Sequence, residues 1–226
     1  MNFKVITTYN NKLYKEYAYR FKETYNWKFD LVVYNEDEDL FNKIPDCKSF
    51  VERNKDRPYK NFLKDAVRFS YKVYSYIHAI LNEKCDGLLC IDADSVFYKS
   101  INNNWVEKYL HREDCMMAYL GRGENQYSEC GFLYFNLNHP RTKQYARYMK
   151  YLYNNDLIYN LDQYHDSWVW DYARKNMEKK FKVKNHNIGD NRLGHVQARS
   201  VLGPIYDHLK GNRKVSGRSP EARANK

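Results

Sequence analysis

The sequence has no apolar run approaching eighteen residues, and its mean hydropathy is -0.89, so nothing in it reads as a membrane span. Its first ten residues, MNFKVITTYN, lack the long apolar stretch of a signal peptide and read as an immediate strand. A cytoplasmic protein is the expectation that follows. There is no collagen period, heptad array or internal repeat, which excludes fibrous and solenoid architectures. Cysteine is sparse: Cys47, Cys85, Cys90, Cys115 and Cys130 are odd in number and form no C-x-x-C. That argues against a disulfide framework or structural zinc site, and for reduced thiols. Acidic residues are in deficit, 28 Asp and Glu against 38 Lys and Arg, a net charge of +10. The excess implies an anionic partner: nucleotide phosphates, nucleic acid, an acidic glycan or a membrane surface. The bland alternative is a Lys-rich composition bias, which the 23 tyrosines also fit.

What is present is a chain of 226 residues, 43% hydrophobic and 17% aromatic, enough to bury the core of one domain. Phe3 to Thr7 reads as a first strand, closed by polar Thr8, Tyr9 and Asn10. Tyr14, Tyr17, Ala18, Phe21 and Tyr25 recur at helical spacing, and Leu31 to Tyr34 makes a second strand. Residues 41 to 60, charged and holding Pro45 and Pro58, read as a loop region. Phe62, Ala66, Phe69, Val73, Ile77 and Ile80 keep a 3.6-residue beat for about five turns, the clearest helix in the chain. Gly87 to Ile91 is a short continuous apolar run, the pattern of a strand buried on both faces. Gly131 to Leu137 reads as another strand, Pro140 as the opening of a helix, and Asp162 to Lys175 as a further helix. Alternating strands and helices predict an α/β domain over residues 1–215, with a mixed, mostly parallel sheet flanked by helices. Residues 216–226 lack apolar periodicity and read as a basic tail, in which Arg218, Arg223 and Lys226 are candidates to engage an anionic acceptor.

In an open α/β sheet, ligands bind beyond the carboxyl ends of the strands. Asp92 and Asp94 stand at such an end. Being two apart, they point the same way in extended backbone and offer two hard oxygen ligands to Mg²⁺ or Mn²⁺. A lone D-x-D is weak evidence, and the chain carries its own control. Asp37-Glu38-Asp39 also follows a strand, and its acidic neighbours mark it as a solvated loop. A second motif, His208-Leu209-Lys210-Gly211-Asn212-Arg213-Lys214, spells H-x-x-G-x-x-K.

An apolar strand ending in D-x-D, followed much later by H-x-x-G-x-x-K, resembles the GT-A glycosyltransferases, and among them the glycogenin-type family 8. Ala66-Val67-Arg68-Phe69 is similar to an element of that family, as is the strand Glu129 to Leu137. The resemblance implies a metal-dependent, retaining transferase using a nucleotide sugar, with UDP the expected nucleotide. Asp92, Asp94 and His208 would hold Mn²⁺ or Mg²⁺. Asp92 would also lie near the ribose, Gly211 would admit the diphosphate and Lys214 would neutralise it. Thr7, Thr8 and Tyr9 would meet the base, and Arg68 the donor sugar or phosphates. For the acceptor side, Leu161-Asp162-Gln163-Tyr164-His165-Asp166-Ser167-Trp168 offers either Asp162 with Gln163 or Asp166. Val215-Ser216 stands where the family has Pro-Trp. The acceptor is left open, a hydroxymethylated base in DNA being one candidate. The competing class is a non-catalytic, basic nucleic-acid-binding protein, although no helix-turn-helix, zinc finger or RNP signature is present.

Overall fold

A computed structural model describes residues 1–123 and 126–222. Six strands form one sheet in the order β2-β1-β3-β6-β5-β7: β1 (Phe3–Tyr9), β2 (Asp30–Asn35), β3 (Gly87–Ile91), β5 (Cys115–Leu120), β6 (Glu129–Asn136) and β7 (Lys184–Asn187). A separate two-stranded ribbon pairs β4 (Ser95–Phe97) with β8 (Tyr206–His208). In the main sheet only β6 runs against the others, so the carboxyl ends of β1, β2, β3, β5 and β7 share one edge. The mixed α/β architecture agrees with the pattern read from the sequence.

Side-chain alternation divides the core between the two faces. Ile6, Leu88, Cys90, Leu133 and Phe135 join one cluster; Val5, Leu89, Ile91, Phe132 and Tyr134 join the other. Every residue of β3 is buried, as its unbroken apolar run requires. Each fully buried Leu, Ile or Phe contributes about 1.5–3 kcal/mol.

The helix Ala66–Asn82 packs on the first face through Val73, Tyr74, Ile77 and Ile80. It contains neither Gly nor Pro, and Asp65 caps it by accepting from the Arg68 N–H at 3.1 Å. The periodic stretch begins earlier in sequence than the helix does, because Phe62–Lys64 forms a separate 3₁₀ turn.

Two sequence expectations are corrected. Residues 41 to 60 are not a loop throughout, since Pro45–Asn54 is a helix. Pro45 sits in its first turn, where a missing N–H costs nothing, and Cys47, Phe50, Val51 and Asn54 turn one buried face inward. The helix expected from Asp162 starts instead at Asp166 and runs to Phe181. The preceding residues are tied down elsewhere, the N–H groups of Tyr164 and His165 both donating to the Leu63 carbonyl. The basic segment is partly docked: Ser219 is buried, and its N–H donates to Asp207 at 2.6 Å. Arg223 and Lys226 lie outside the described residues. All five cysteines are free thiols. No described helix is long and apolar enough to cross a membrane.

Candidate active site

The carboxyl ends of β1 and β3 open into a cleft of about 600 Å³. Asp92 and Asp94 follow β3 directly, and the β4–β8 ribbon brings His208 to them, because the register sets His208 opposite Ser95. One ligand atom from each of the three lies within 4.8 Å of the others. His208 Nε2 is 3.0 Å from Asp94 Oδ1 and 3.6 Å from Asp92 Oδ2. Among the described residues no other group of three His, Cys, Asp or Glu converges in this way.

Two ammonium groups hold this cluster. Lys214 Nζ lies 2.8 Å from Asp94 Oδ2 and 4.2 Å from the centre of the Tyr17 ring. Lys72, on the Ala66–Asn82 helix, pairs with Asp92 and reaches Asp166 Oδ2 at 2.7 Å. Asp166 also accepts from Cys130 Sγ at 3.0 Å and from the Ser167 N–H at 2.8 Å.

The electrostatics follow from burial and these partners. Burial alone would raise the Asp94 carboxyl, but His208 and Lys214 outweigh it and hold it well below the carboxylate range. Asp166 is likewise pulled down, burial being overcome by Lys72. For Asp92 burial prevails over Lys72 and His208, and its carboxyl is raised. His208 is raised, because Asp94 outweighs its burial. Lys72, though buried, is raised by Asp166 and Asp92 and stays charged.

The donor set fits a hard divalent cation. Two carboxylates and an imidazole converge here, and although Asp92 Oδ1 faces Lys72 and Asp94 Oδ1 faces His208 Nε2, neither oxygen completes a well-formed hydrogen bond, so both are available as ligands. Glycine makes room for the third ligand. A Cβ on Gly131 would sit 2.2 Å from His208 Cε1. Gly131 lies in an irregular part of β6, where β6 advances from Glu129 to Leu133 while β5 steps only from Leu120 to Tyr119. Gly131→Ala is therefore expected to cost about 1–3 kcal/mol through overpacking and to displace the imidazole. Adding His208→Ala should recover the melting temperature but not Mn²⁺ binding. A Gly131→Ala protein with parental Mn²⁺ affinity would show that His208 is not a ligand.

The remaining sequence candidates separate. Thr8 and Arg68 line the cleft, the Thr8 hydroxyl donating to the Tyr34 carbonyl at 2.9 Å. Thr7 is fully buried, and Tyr9 packs its ring 5.5 Å from that of Tyr14; neither is among the residues lining the cleft. Asp166 lines it, whereas Asp162 is exposed and Gln163 hydrogen-bonds His165 Nε2 at 3.0 Å. Gly211 has φ +55, a left-handed value that favours glycine, and open space where a Cβ would stand.

Three participants escaped the sequence reading. Lys72 carries no sequence signal that sets it apart from the other lysines. Glu129, which the sequence offers only as the start of a strand, is buried, and its Oε1 is 3.7 Å from His208 Nδ1. Glu36 is not a solvated loop acid: it lines the cleft, and burial, only partly offset by Asn10, pushes its carboxyl up to about 7.

No protein-family profile and no curated protein matches the sequence. Solved structures do match in shape. A crystal structure of an active-site mutant of LgtC superposes with a TM-score of 0.54 at 13% identity, covering 92% of this chain and 87% of that one. A glycosyltransferase involved in glycosylating the major capsid of PBCV-1 gives 0.50 at 9% identity, covering 96% and 98%. Against the glycosyltransferase GlyE of Streptococcus pneumoniae TIGR4 the score is 0.49 at 11% identity, and the chain spans only 46% of that protein. At the level of fold, then, the strand order, the flanking helices and the first two of these superpositions identify a GT-A fold.

Proposed function

We propose that the protein is a metal-dependent glycosyltransferase that moves a sugar from a nucleotide-sugar donor, a UDP-sugar in the first instance, to a hydroxyl acceptor. The observation that carries this reading is the convergence of Asp92, Asp94 and His208 with Lys214 at the carboxyl edge of a GT-A sheet. A divalent cation held there, Mn²⁺ or Mg²⁺, supplies positive charge to the diphosphate. Lys214 is positioned to leave Asp94 for a phosphate oxygen and to stabilise the charge that develops as the bond between the sugar's anomeric carbon and the diphosphate breaks. Thr8 and Arg68 would border the donor, and Gly211 sits in the turn just before the short helix Arg213–Ser216 that carries Lys214.

Asp166 reads as a positioning carboxylate rather than a nucleophile. One oxygen is already engaged by Lys72 and the Cys130 thiol, the other by a backbone N–H. Burial is outweighed by Lys72, which lowers the proton affinity of Asp166, favours the carboxylate and argues against a proton-donor role. With no nucleophile offered for a double displacement, the retaining reading takes the front-face form, in which the acceptor oxygen bonds to the anomeric carbon and its proton passes to the departing phosphate.

The test is thermal. Mn²⁺ and UDP-glucose or UDP-galactose together should raise the melting temperature by more than the sum of their separate effects, with slow donor hydrolysis in the same mixture. A basic nucleic-acid-binding protein predicts neither. Absence of both effects across a panel of nucleotide sugars would overturn the reading.

A further inference from the structure

A second hollow opens on the same sheet edge as the cleft, two strands further along, at the ends of β5 and β7. It measures about 550 Å³, and Gly121, Arg122, Gln126, Ser128, Asn187 and Asn191 form much of its wall. Its floor is fixed by one side chain. Asn187 Oδ1 accepts the N–H groups of Gly121 and Gly189, each at 2.9 Å, and its Nδ2 donates to Asn191 Oδ1 at 2.8 Å. The strands meet too closely for side chains here: a Cβ on Gly121 would lie 2.5 Å from Asn187 Nδ2, and one on Gly189 would lie 2.3 Å from the Gly121 carbonyl oxygen.

The cationic residues that line the hollow are all ion-paired. Arg122 pairs with Glu129. Arg174 pairs with Asp171 at 2.5 Å and Glu178 at 2.6 Å, and Lys175 pairs with Asp171 at 2.8 Å. Among the described residues each cation lining the hollow, Arg122, Arg174 and Lys175, is thus already engaged by a carboxylate, which weakens its pull on a polyanion. What the wall offers is amides and a hydroxyl, which donate and accept together as sugar hydroxyls do. Arg122 Nε adds a buried donor with no hydrogen-bond partner. Glu129 joins the hollow to the metal cluster, holding Arg122 on one side and Lys210 on the other, with His208 against its second oxygen.

From this arrangement we infer that the hollow is the acceptor subsite and that the acceptor is a neutral, hydroxyl-rich glycan rather than nucleic acid or another polyanion. As acceptor assignment it rests on the transferase reading above, while the binding of neutral sugar by the hollow does not. The sugar lies against Asn187, Asn191 and Gln126, and its reactive hydroxyl points past Glu129 toward the donor.

Nitrogen-15 NMR of the full chain with Mg²⁺ tests both parts. Lactose, maltose and methyl β-galactoside are titrated against a short oligothymidylate. At least one neutral sugar should shift the backbone signals of Gly121 and Gly123 and the side-chain amides of Gln126, Asn187 and Asn191, with an affinity that salt does not change. The double variant Gln126→Ala with Asn191→Gly, which keeps a residue at ease with the left-handed backbone at 191, should weaken that binding about tenfold for two lost hydrogen bonds. An unchanged melting temperature shows that the variant still folds. Shifts at these residues with the oligothymidylate instead, falling steeply with salt, would overturn the inference, as would no shift with any of the sugars. Sugar shifts in a protein that hydrolyses no nucleotide sugar would mean that the glycan site stands and the transferase reading fails.

Discussion

Asp94→Asn lowers Mn²⁺-dependent donor hydrolysis by about 10²–10³-fold, the scale on which a single transition-state electrostatic contact is lost. The substitution keeps the size of the side chain and removes its charge. Asp94 is nearly buried, and its oxygens face His208 on one side and Lys214 on the other. One change therefore removes a proposed metal ligand and the carboxylate that holds Lys214, the lysine proposed to neutralise the diphosphate. Mn²⁺ titration of the donor-free protein gives an independent reading and should show affinity falling in parallel. Asp39→Asn is the control, since Asp39 is exposed and contacts Asn42 rather than the cleft. Parental turnover in Asp94→Asn after metal stripping and repletion with Mn²⁺ would place the site elsewhere.

Lys72→Met has the largest expected effect on stability, a loss of about 3–5 kcal/mol, because it strips two buried carboxylates of their shared counter-ion. The loss has a defined pH dependence. In the parent, Asp166 is held below its ordinary value, so its contribution is present above the unfolded-state value and disappears as pH falls through the folded one. Without Lys72 that depression goes. The deficit of Lys72→Met should be full near neutral pH and shrink below about pH 4, where carboxyls in the unfolded chain take up protons. Urea unfolding at several pH values measures this. Adding Asp166→Asn should recover part of the loss at neutral pH, since one of the two stranded charges is removed. A deficit that does not vary with pH would mean that lost packing of the lysine stem, not charge, is responsible.

These two positions show where the sequence was informative. Asp94 was legible because its signal is local: an unbroken apolar strand, then two acids two residues apart. His208 was legible through the spacing to Gly211 and Lys214, although the contact with Asp94 spans more than a hundred residues. Lys72 was not. A lysine among Tyr71, Val73 and Tyr74 reads as the polar side of an amphipathic helix, and only the neighbouring sheet turns that side toward Asp92 and Asp166. The family resemblance points instead to Arg68, one turn earlier, which borders the cleft without entering the ion-pair network. Strand β7, Lys184–Asn187, has no apolar residue at all, so nothing in its composition marks it as part of a sheet. The helix at Pro45–Asn54 was masked by its charge, because four buried residues in ten carry little hydrophobic signal between Lys, Glu and Arg.

The β4–β8 ribbon has a consequence for the order in which the protein matures. All six strands of the main sheet are complete by Asn187, so the scaffold is encoded before His208 and Lys214. During synthesis, a chain that has emerged only that far can assemble its sheet and present Asp92 and Asp94, but it lacks the imidazole that closes the cluster and the lysine that guards it. If the cluster binds a metal as proposed, tight capture would have to wait until the ribbon zips shut, and would report the pairing of β4 with β8 rather than the folding of the sheet.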